Sequence, residues 1–395
     1  MCGRQENLIK EKFNISIITS HVIQYQGPLF KELAKHPQID LTVLFCSRKG
    51  AEQYKDKEFQ ADIQWDRDLL SGYQHEFIRN SIDLWNKIRC GGYDAILIHG
   101  YGQIFYWYAW FIAILCDVPV ILRGETNLLR LKHDMILRRW LKRVILGAFF
   151  SKCSAFLPIG KLNREYYEWF GIHSDKMFFC PYAVDNKYFM GQMKQYEGVR
   201  NEIRAASGIP KDKIAILFAG KFLPKKRPHD LIAAYKKMRN REKSVLIFVG
   251  DGALKADLVD IAKECGGGNI TFLGFLNQTE ITRAYLAVDV FVFPSGYEPF
   301  GLALNEAMCC RLPVVVSSEV SAGYDLVIDN GFMYPVGNIN KLAEILDRLV
   351  EDDELRRKMG HKSIKIVSEW NYERDAEGIL KALEYVCNRK ATVMS

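Results

Sequence analysis

The chain has 395 residues, is 49% hydrophobic and 26% charged, and carries 29 glycines against 12 prolines. Those proportions exclude a wholly disordered chain, collagen and a coiled coil; at about 150 residues per domain they predict two domains, each able to bury a core without disulfide or metal staples. The net charge is +7, from 54 Lys and Arg against 47 Asp and Glu, and a mean hydropathy of −0.10 argues against a polytopic membrane protein.

The opening MCGRQENLIKEKFN has no apolar core or cleavage site, so no secretory signal is expected. A strand is predicted over Phe13–Thr19, followed by a polar turn, SHVIQYQGP, which places Gln26 and Gly27 in a loop. A helix over Leu29–Lys35 leads to a second strand, Ile39–Phe45. Residues 47–75 are polar and irregular and read as an excursion above the sheet. Further strands are expected at Ala95–His99, Val118–Arg123 and Ala155–Pro158. Their continuous apolar, β-branched character suits parallel strands covered on both faces. The apolar stretch 96–122 is interrupted by His99, Gly100, Gln103, Asp117 and Pro119, and its longest clean run, Ile104–Cys116, is 13 residues. A transmembrane helix needs about 20. The stretch therefore reads as strand, turn, buried helix, turn, strand.

Residues 186–212 turn polar and mark a boundary, after which the βα pattern restarts. Strands are predicted at Ile214–Ala219, Ser244–Val249, Ile270–Leu273, Val288–Phe293 and Val314–Ser317, with helices at 228–239, 253–264, 279–285 and 301–310. Three helices close the chain, at 339–350, 352–368 and 371–388, the first capped by Asn338 or Asn340. The expected division is 13–185, 205–368 and a final helix, 369–390, that crosses back to the first domain. Two doubly wound α/β domains in tandem set a cleft between the C-terminal ends of their sheets, where ligands bind in such folds.

The ten cysteines (Cys2, Cys46, Cys90, Cys116, Cys153, Cys180, Cys265, Cys309, Cys310 and Cys387) form no CxxC pair and mostly sit in apolar strings. That usage suits buried thiols in a reducing, cytoplasmic compartment. The positive charge is concentrated. Residues 127–143, NLLRLKHDMILRRWLKR, hold six cations against Asp134, interleaved with Leu137, Trp140 and other apolar residues. A basic helix of this kind can lie on an anionic membrane surface; a solvated or partner-binding helix is the alternative. There is no nucleic-acid module, and no nucleic-acid partner is expected.

Residues 290–317, VFVFPSGYEPFGLALNEAMCCRLPVVVS, are the most informative stretch. A buried strand ends in a Pro-Ser-Gly turn, and a helix then begins near Gly301 and Leu302 with free amides suited to phosphate. Glu298 precedes that helix and Glu306 lies inside it, a pattern also compatible with an ordinary crossover whose glutamates face solvent. A second feature is FAGKFLPKKRP, residues 218–228, where Gly220 ends a strand and Lys221, Lys225, Lys226 and Arg227 follow. Glycine there permits close approach of a ligand, and the lysines bring charge where a diphosphate would sit; a solvated basic turn is the plainer alternative. The strand end VGDG, with Gly250, is a weak phosphate-loop signal. It is not GxGxxG, and no Walker A run occurs.

Taken in order, GK....KKRP, VGDG, FLG at 272–274 and PSGYEPFGLALNEAMCCRLPVVVS resemble the nucleotide-sugar-binding half of the retaining glycosyltransferases of family 4, which have the GT-B fold. The resemblance covers about residues 185–340, with CPYAVDNKYF similar to the family's interdomain linker. It implies two Rossmann-like domains facing across a cleft and a hexosyl transfer from a UDP- or GDP-linked sugar with retention, with no bound metal. Glu298, Lys226 and Lys221 would be catalytic, the lysines holding the donor diphosphate; Lys221 stands where many relatives have arginine. Glu306 would hold the ribose hydroxyls, with Gly220, Gly250, Phe300, Gly301 and Leu302 around the donor. Arg311 stands where relatives commonly carry glycine, which implies a turn independent of glycine here.

On the acceptor side the candidates are Gln26, Gly27, His99, Tyr101, Arg123 and Glu125. Around RGETN many relatives place a histidine that this chain lacks. His21 and His133 read as surface or capping residues. The acceptor is expected to be a glycan or lipid-linked sugar, with 127–143 a candidate for contact with the inner face of a membrane. Alternatives are a non-catalytic nucleotide-sugar or glycan-binding protein of the same fold, or a sugar-phosphate synthase.

Overall fold

The computed structural model describes residues 12–132, 134–265 and 268–394; Cys2 and His133 lie outside the described residues. The N-terminal domain contains β1 (Phe13–Thr19), β2 (Ile39–Phe45), β3 (Tyr54–Asp56), β4 (Ala61–Ile63), β5 (Gln74–Phe77), β6 (Ala95–His99), β7 (Val120–Arg123) and β8 (Ala155–Phe156). The C-terminal domain contains β9 (Ile214–Ala219), β10 (Ser244–Val249), β11 (Ile270–Gly274), β12 (Val290–Phe293), β13 (Val314–Ser317) and β14 (Gly331–Tyr334). Each domain is built on a six-stranded parallel sheet, ordered β5-β2-β1-β6-β7-β8 and β11-β10-β9-β12-β13-β14.

The two orders are the same once the antiparallel β3–β4 hairpin is set aside. In each, the first strand is central and the chain reverses direction across the sheet beside it, between β1 and β6 and between β9 and β12. Helices depart to opposite faces at such a switch point and leave a crevice above the strand ends. Both crevices open into the cleft between the domains. Strands β1, β2, β9 and β10 follow their apolar runs residue for residue, because both faces are covered by helices and, apart from the exposed Asp40 of β2, the side chains are buried or half-buried.

Asn338 accepts the Lys341 amide at 3.0 Å and caps the helix Ile339–Glu351. That helix buries Leu342, Ile345, Leu346 and Leu349 against β-strand residues such as Val292 and Val315. The last helix, Tyr372–Met394, belongs in sequence to the C-terminal half but packs in the first domain, with Ala376, Ile379 and Leu383 buried among Phe13, Phe30 and Leu33.

Several expectations are corrected. Gln26 and Gly27 are not in a loop; they open the helix Gln26–Ala34, where a Cβ on Gly27 would lie 2.8 Å from the Leu69 carbonyl oxygen. The helix Ile104–Leu115 is not buried all round, since Ile104 is 85% exposed and Leu115 57%. The basic stretch is not one helix. Leu128–Lys132 and Ile136–Ser151 are separate, and Met135 between them has extended backbone. Arg311 has φ +58, so the turn keeps the left-handed backbone that glycine favours although an arginine occupies it.

Candidate nucleotide-sugar site

The β9 end positions the first group of residues. Gly250, with φ +135, lies so close to the β9 terminus that a Cβ would fall 1.9 Å from the Gly220 carbonyl oxygen. Only glycine fits that approach, which brings the ends of β9 and β10 together beneath the cleft. Lys221 follows at once. Its Nζ donates to Glu58 Oε2 at 2.7 Å and lies 3.3 Å from Asp56 Oδ2. Lys225 donates to Glu58 Oε1 at 3.1 Å.

The second group comes from beyond β12. Gly301, with φ +113, is the N-cap of the helix Leu302–Cys309, and a Cβ there would sit 2.9 Å from the Phe293 ring. The first amides of a helix have no partner four residues back; here the Leu304 amide donates to the Gly301 carbonyl at 2.9 Å. Glu298 is anchored just before this turn by its amide, which donates to the Glu319 carbonyl at 2.9 Å. Its carboxylate pairs with Lys226, both side chains being about 15% exposed or less. The Lys226 ammonium also lies 5.1 Å from the Phe293 ring centroid.

Glu306 accepts a hydrogen bond from the Tyr285 hydroxyl at 2.8 Å. Burial pushes its carboxyl up to about 7, against the stabilising effect of that hydrogen bond. A carboxylate held in this way has its other oxygen available for a hydroxyl partner. Glu306 lines a cavity of about 220 Å³ with Gly220, Gly250 and Leu302; Phe59 and Trp65 of the N-terminal domain complete the wall. Phe300 does not line this cavity. It is 2% exposed and stacks on Trp370 at 5.7 Å, with Tyr182 edge-on at 5.6 Å, so its side chain joins linker to helix start.

Across the cleft, Gln26, His99, Tyr101, Arg123 and Glu125 line a second cavity of about 230 Å³. Thr19 Oγ1 donates to Gln26 Oε1 at 3.1 Å, and Gln26 Nε2 lies 2.9 Å from His99 Nδ1. That network makes Nδ1 the acceptor and leaves the proton on Nε2. Burial, with Arg123 nearby, lowers the His99 pKa, so the ring is neutral. Glu125 opens to the cleft and accepts from the hydroxyls of Tyr182 and Tyr25. Arg123 is committed elsewhere: its Nη2 donates to Asp375 Oδ2 of the last helix at 2.7 Å. Gly27 is absent from this wall.

Sequence reasoning missed Tyr285, Tyr182, Tyr25, Asp375 and the acidic pair Asp56 and Glu58. Tyrosines at those positions look like ordinary core residues, and only their hydroxyl partners distinguish them. Among the described residues, no group of three or more His, Cys, Asp or Glu side chains is placed to hold a metal ion.

Residues 199–366 match the family described as glycosyl transferases group 1, to which the chain is thereby related. An uncharacterized glycosyltransferase of Methanocaldococcus jannaschii is 33% identical over 224 residues, 56% of each chain. A D-inositol 3-phosphate glycosyltransferase of Saccharomonospora viridis is 27% identical over 197 residues, 46% of this chain and 45% of that one. The chain thus spans about half the length of the curated relatives it matches. Among solved structures, Anabaena HepE in complex with UDP superposes with a TM-score of 0.71 at 16% identity, covering 94% of this chain and 99% of that one. A glycosyltransferase from Rickettsia africae gives 0.72 at 13% identity, covering 95% and 98%. The fold is GT-B: two Rossmann-like α/β domains with parallel sheets facing across a cleft.

Proposed function

We propose that this relative of the group 1 glycosyl transferases moves a sugar, with retention, from a nucleoside-diphosphate sugar to a hydroxyl-bearing acceptor. One observation carries the reading. At the β9/β12 switch point, two glycine-dependent close approaches, three lysines, a helix N-terminus and a half-buried glutamate converge on one side of the cleft. That set suits a ligand with two phosphates and a pair of vicinal hydroxyls. Lys226 and Lys221 neutralise the departing diphosphate, the Gly301 and Leu302 amides meet its oxygens, and Glu306 accepts the ribose hydroxyls. Glu298 stands beside the sugar. The acceptor lies over the His99–Glu125 cavity. The UDP bound to Anabaena HepE supports a nucleoside diphosphate as the ligand class.

Calorimetric titration with UDP and GDP tests this. Wild-type protein binds at least one of them, and Glu306→Gln weakens that binding about tenfold or more, since a carboxamide accepts at only one atom. Affinity for the wild type rises between pH 6 and 8 as the carboxyl with a value of about 7 ionises, and the Gln variant shows no such rise. Stability moves the other way. A carboxyl raised by burial favours the folded state in its protonated form, so stability falls as pH climbs from about 4.5 to about 7 and is level above that. Glu306→Gln is therefore more stable than wild type at pH 8, and the advantage disappears below about pH 4.5. If neither nucleotide binds, the donor assignment is wrong.

A membrane-borne acceptor is the finer part of the reading. No helix among the described residues is long and apolar enough to cross a membrane. The helix Ile136–Ser151 nevertheless leaves Ile136 85%, Leu137 72%, Trp140 62% and Val144 52% exposed, beside Arg138 and Arg143. Apolar side chains flanked by exposed cations suit an anionic lipid surface. Vesicles of phosphatidylglycerol should co-sediment the protein while vesicles of phosphatidylcholine do not. Leu137→Ser with Trp140→Ser should reduce the bound fraction about tenfold. Equal sedimentation of wild type and the double variant would remove this helix from the acceptor model.

A further inference from the structure

The β3–β4 hairpin leaves the N-terminal domain between β2 and β5, and its turn reaches across the cleft to the donor side. Asp56 holds the turn's shape by accepting the amides of Glu58 at 2.8 Å and Phe59 at 3.0 Å. Phe59 is clamped between domains. The Lys221 ammonium lies 4.8 Å from its ring centroid, and the Phe275 ring meets it edge-on at 5.0 Å. The chain beyond the hairpin is tied down as well: Asn277 Nδ2 donates to the Gln64 carbonyl at 2.6 Å and the Thr279 amide to Asp66 Oδ2 at 2.9 Å. Gly252, in the VGDG strand end, sits where a Cβ would be 3.0 Å from the Glu58 carbonyl oxygen.

This arrangement puts two carboxylates on Lys221, which the proposed function assigns to a diphosphate, and one of them also on the neighbouring Lys225. Asp56 and Glu58 take Lys221, and Glu58 also takes Lys225. Hydrogen bonding to Lys221 holds the Glu58 carboxyl below its ordinary range, so it is ionised at neutral pH. Each lysine ammonium has three donors; Lys221 directs its own to both carboxylates and Lys225 donates to Glu58. Two phosphate groups bring more charge and more acceptor oxygens than two carboxylates, so they can displace the hairpin, while an uncharged nucleoside cannot.

We propose that Asp56 and Glu58 set the affinity and charge selectivity of the donor site as internal competitors for the diphosphate. The inference rests on the donor reading above. Binding of a nucleoside diphosphate frees the turn from Lys221 and Lys225, and loss of the diphosphate lets the carboxylates return. The competition lowers affinity for donor and by-product alike and so favours by-product release. Nothing about the sugar enters the argument; the discrimination is between ligands with two phosphates and ligands with none.

The double variant Asp56→Asn, Glu58→Gln keeps shape and removes both charges. Titration with UDP, with inorganic pyrophosphate and with uridine reads the competition. The dissociation constants for UDP and pyrophosphate should fall about tenfold relative to wild type, and that for uridine should not change. Unchanged or weaker UDP binding by the variant would overturn the proposal, because the carboxylates would then be supporting the lysines. Hydrogen exchange without nucleotide is the second arm. Amides of residues 54–66 should exchange faster in the variant than in wild type, and equal rates mean that the carboxylates do not hold the hairpin. If neither protein binds UDP, GDP or pyrophosphate, the donor reading falls and the competition falls with it, while the exchange arm still reports on the hairpin.

Discussion

Replacing Lys226 with alanine is expected to reduce kcat/KM for the donor by about 10²–10³-fold, and adding Glu298→Gln should recover part of the nucleotide binding without restoring turnover. The reason is the pairing of the two side chains in a largely buried position, 15% and 14% exposed. Removing only the ammonium leaves the Glu298 carboxylate uncompensated beside the place proposed for the phosphates. UDP binding then suffers twice, once from the lost cation and once from repulsion. Neutralising Glu298 removes the second penalty, so the dissociation constant of the double variant should lie between those of wild type and Lys226→Ala. Turnover should stay low, because the charge that develops on the leaving diphosphate still lacks its partner. Coupled residues are not additive, so the informative quantity is the split between UDP affinity and turnover across the three variants. Turnover close to wild type in Lys226→Ala would deny Lys226 its catalytic role.

That prediction draws on residues legible in the chain, whereas the hairpin opposite was not. Lys221, Lys226 and Glu298 are recognisable because they lie in the turns that follow buried strands, and Glu306 because it sits in the helix that the second of those turns opens. The strands β9 and β12 are just as plain, being apolar runs bounded by glycine and proline. Among the edge strands, β8 and β11 are expected from their apolar runs, but β5 and β14 are not. Gln74–Phe77 alternates polar and half-buried residues, and β3 and β4 have three residues each, too short for any period to show. The contacts of Glu58 with Lys221 and of Asp66 with Thr279 join residues 163 and 213 positions apart. No spacing rule reaches that far. Gln26 illustrates the opposite error: a polar run containing Gly27 and Pro28 read as a turn, but proline is tolerated in the first turn of a helix, and the chain uses it there.

Arg123 lines the acceptor-side cavity and also has a partner that no spacing rule reaches, and that partner furnishes the largest stability effect expected. Arg123 stood among the acceptor candidates because it follows a strand end, yet its guanidinium is 2% exposed and bonded to Asp375, itself 1% exposed, 252 positions away. Asp375 lies in the first turn of the helix Tyr372–Met394, where a carboxylate also suits the helix dipole. The pair fastens the last helix of the chain to the end of β7. Asp375→Ala leaves a buried guanidinium without its counter-charge and should cost about 3–5 kcal/mol, with faster hydrogen exchange concentrated in residues 372–389. Arg123→Met combined with Asp375→Leu removes both charges at similar volume and should recover most of that loss. Denaturant titration of the three proteins checks it. The helix carries Ile379 and Leu383 into the first domain's core, so its release also frees the linker that sets one domain against the other. Asp375→Ala should therefore lose turnover while the nucleotide contacts of Lys226 and Glu306 remain intact, and UDP affinity should change little. A loss of UDP binding as large as the loss of turnover would show that the helix supports the donor site itself, and not only the placement of the two domains.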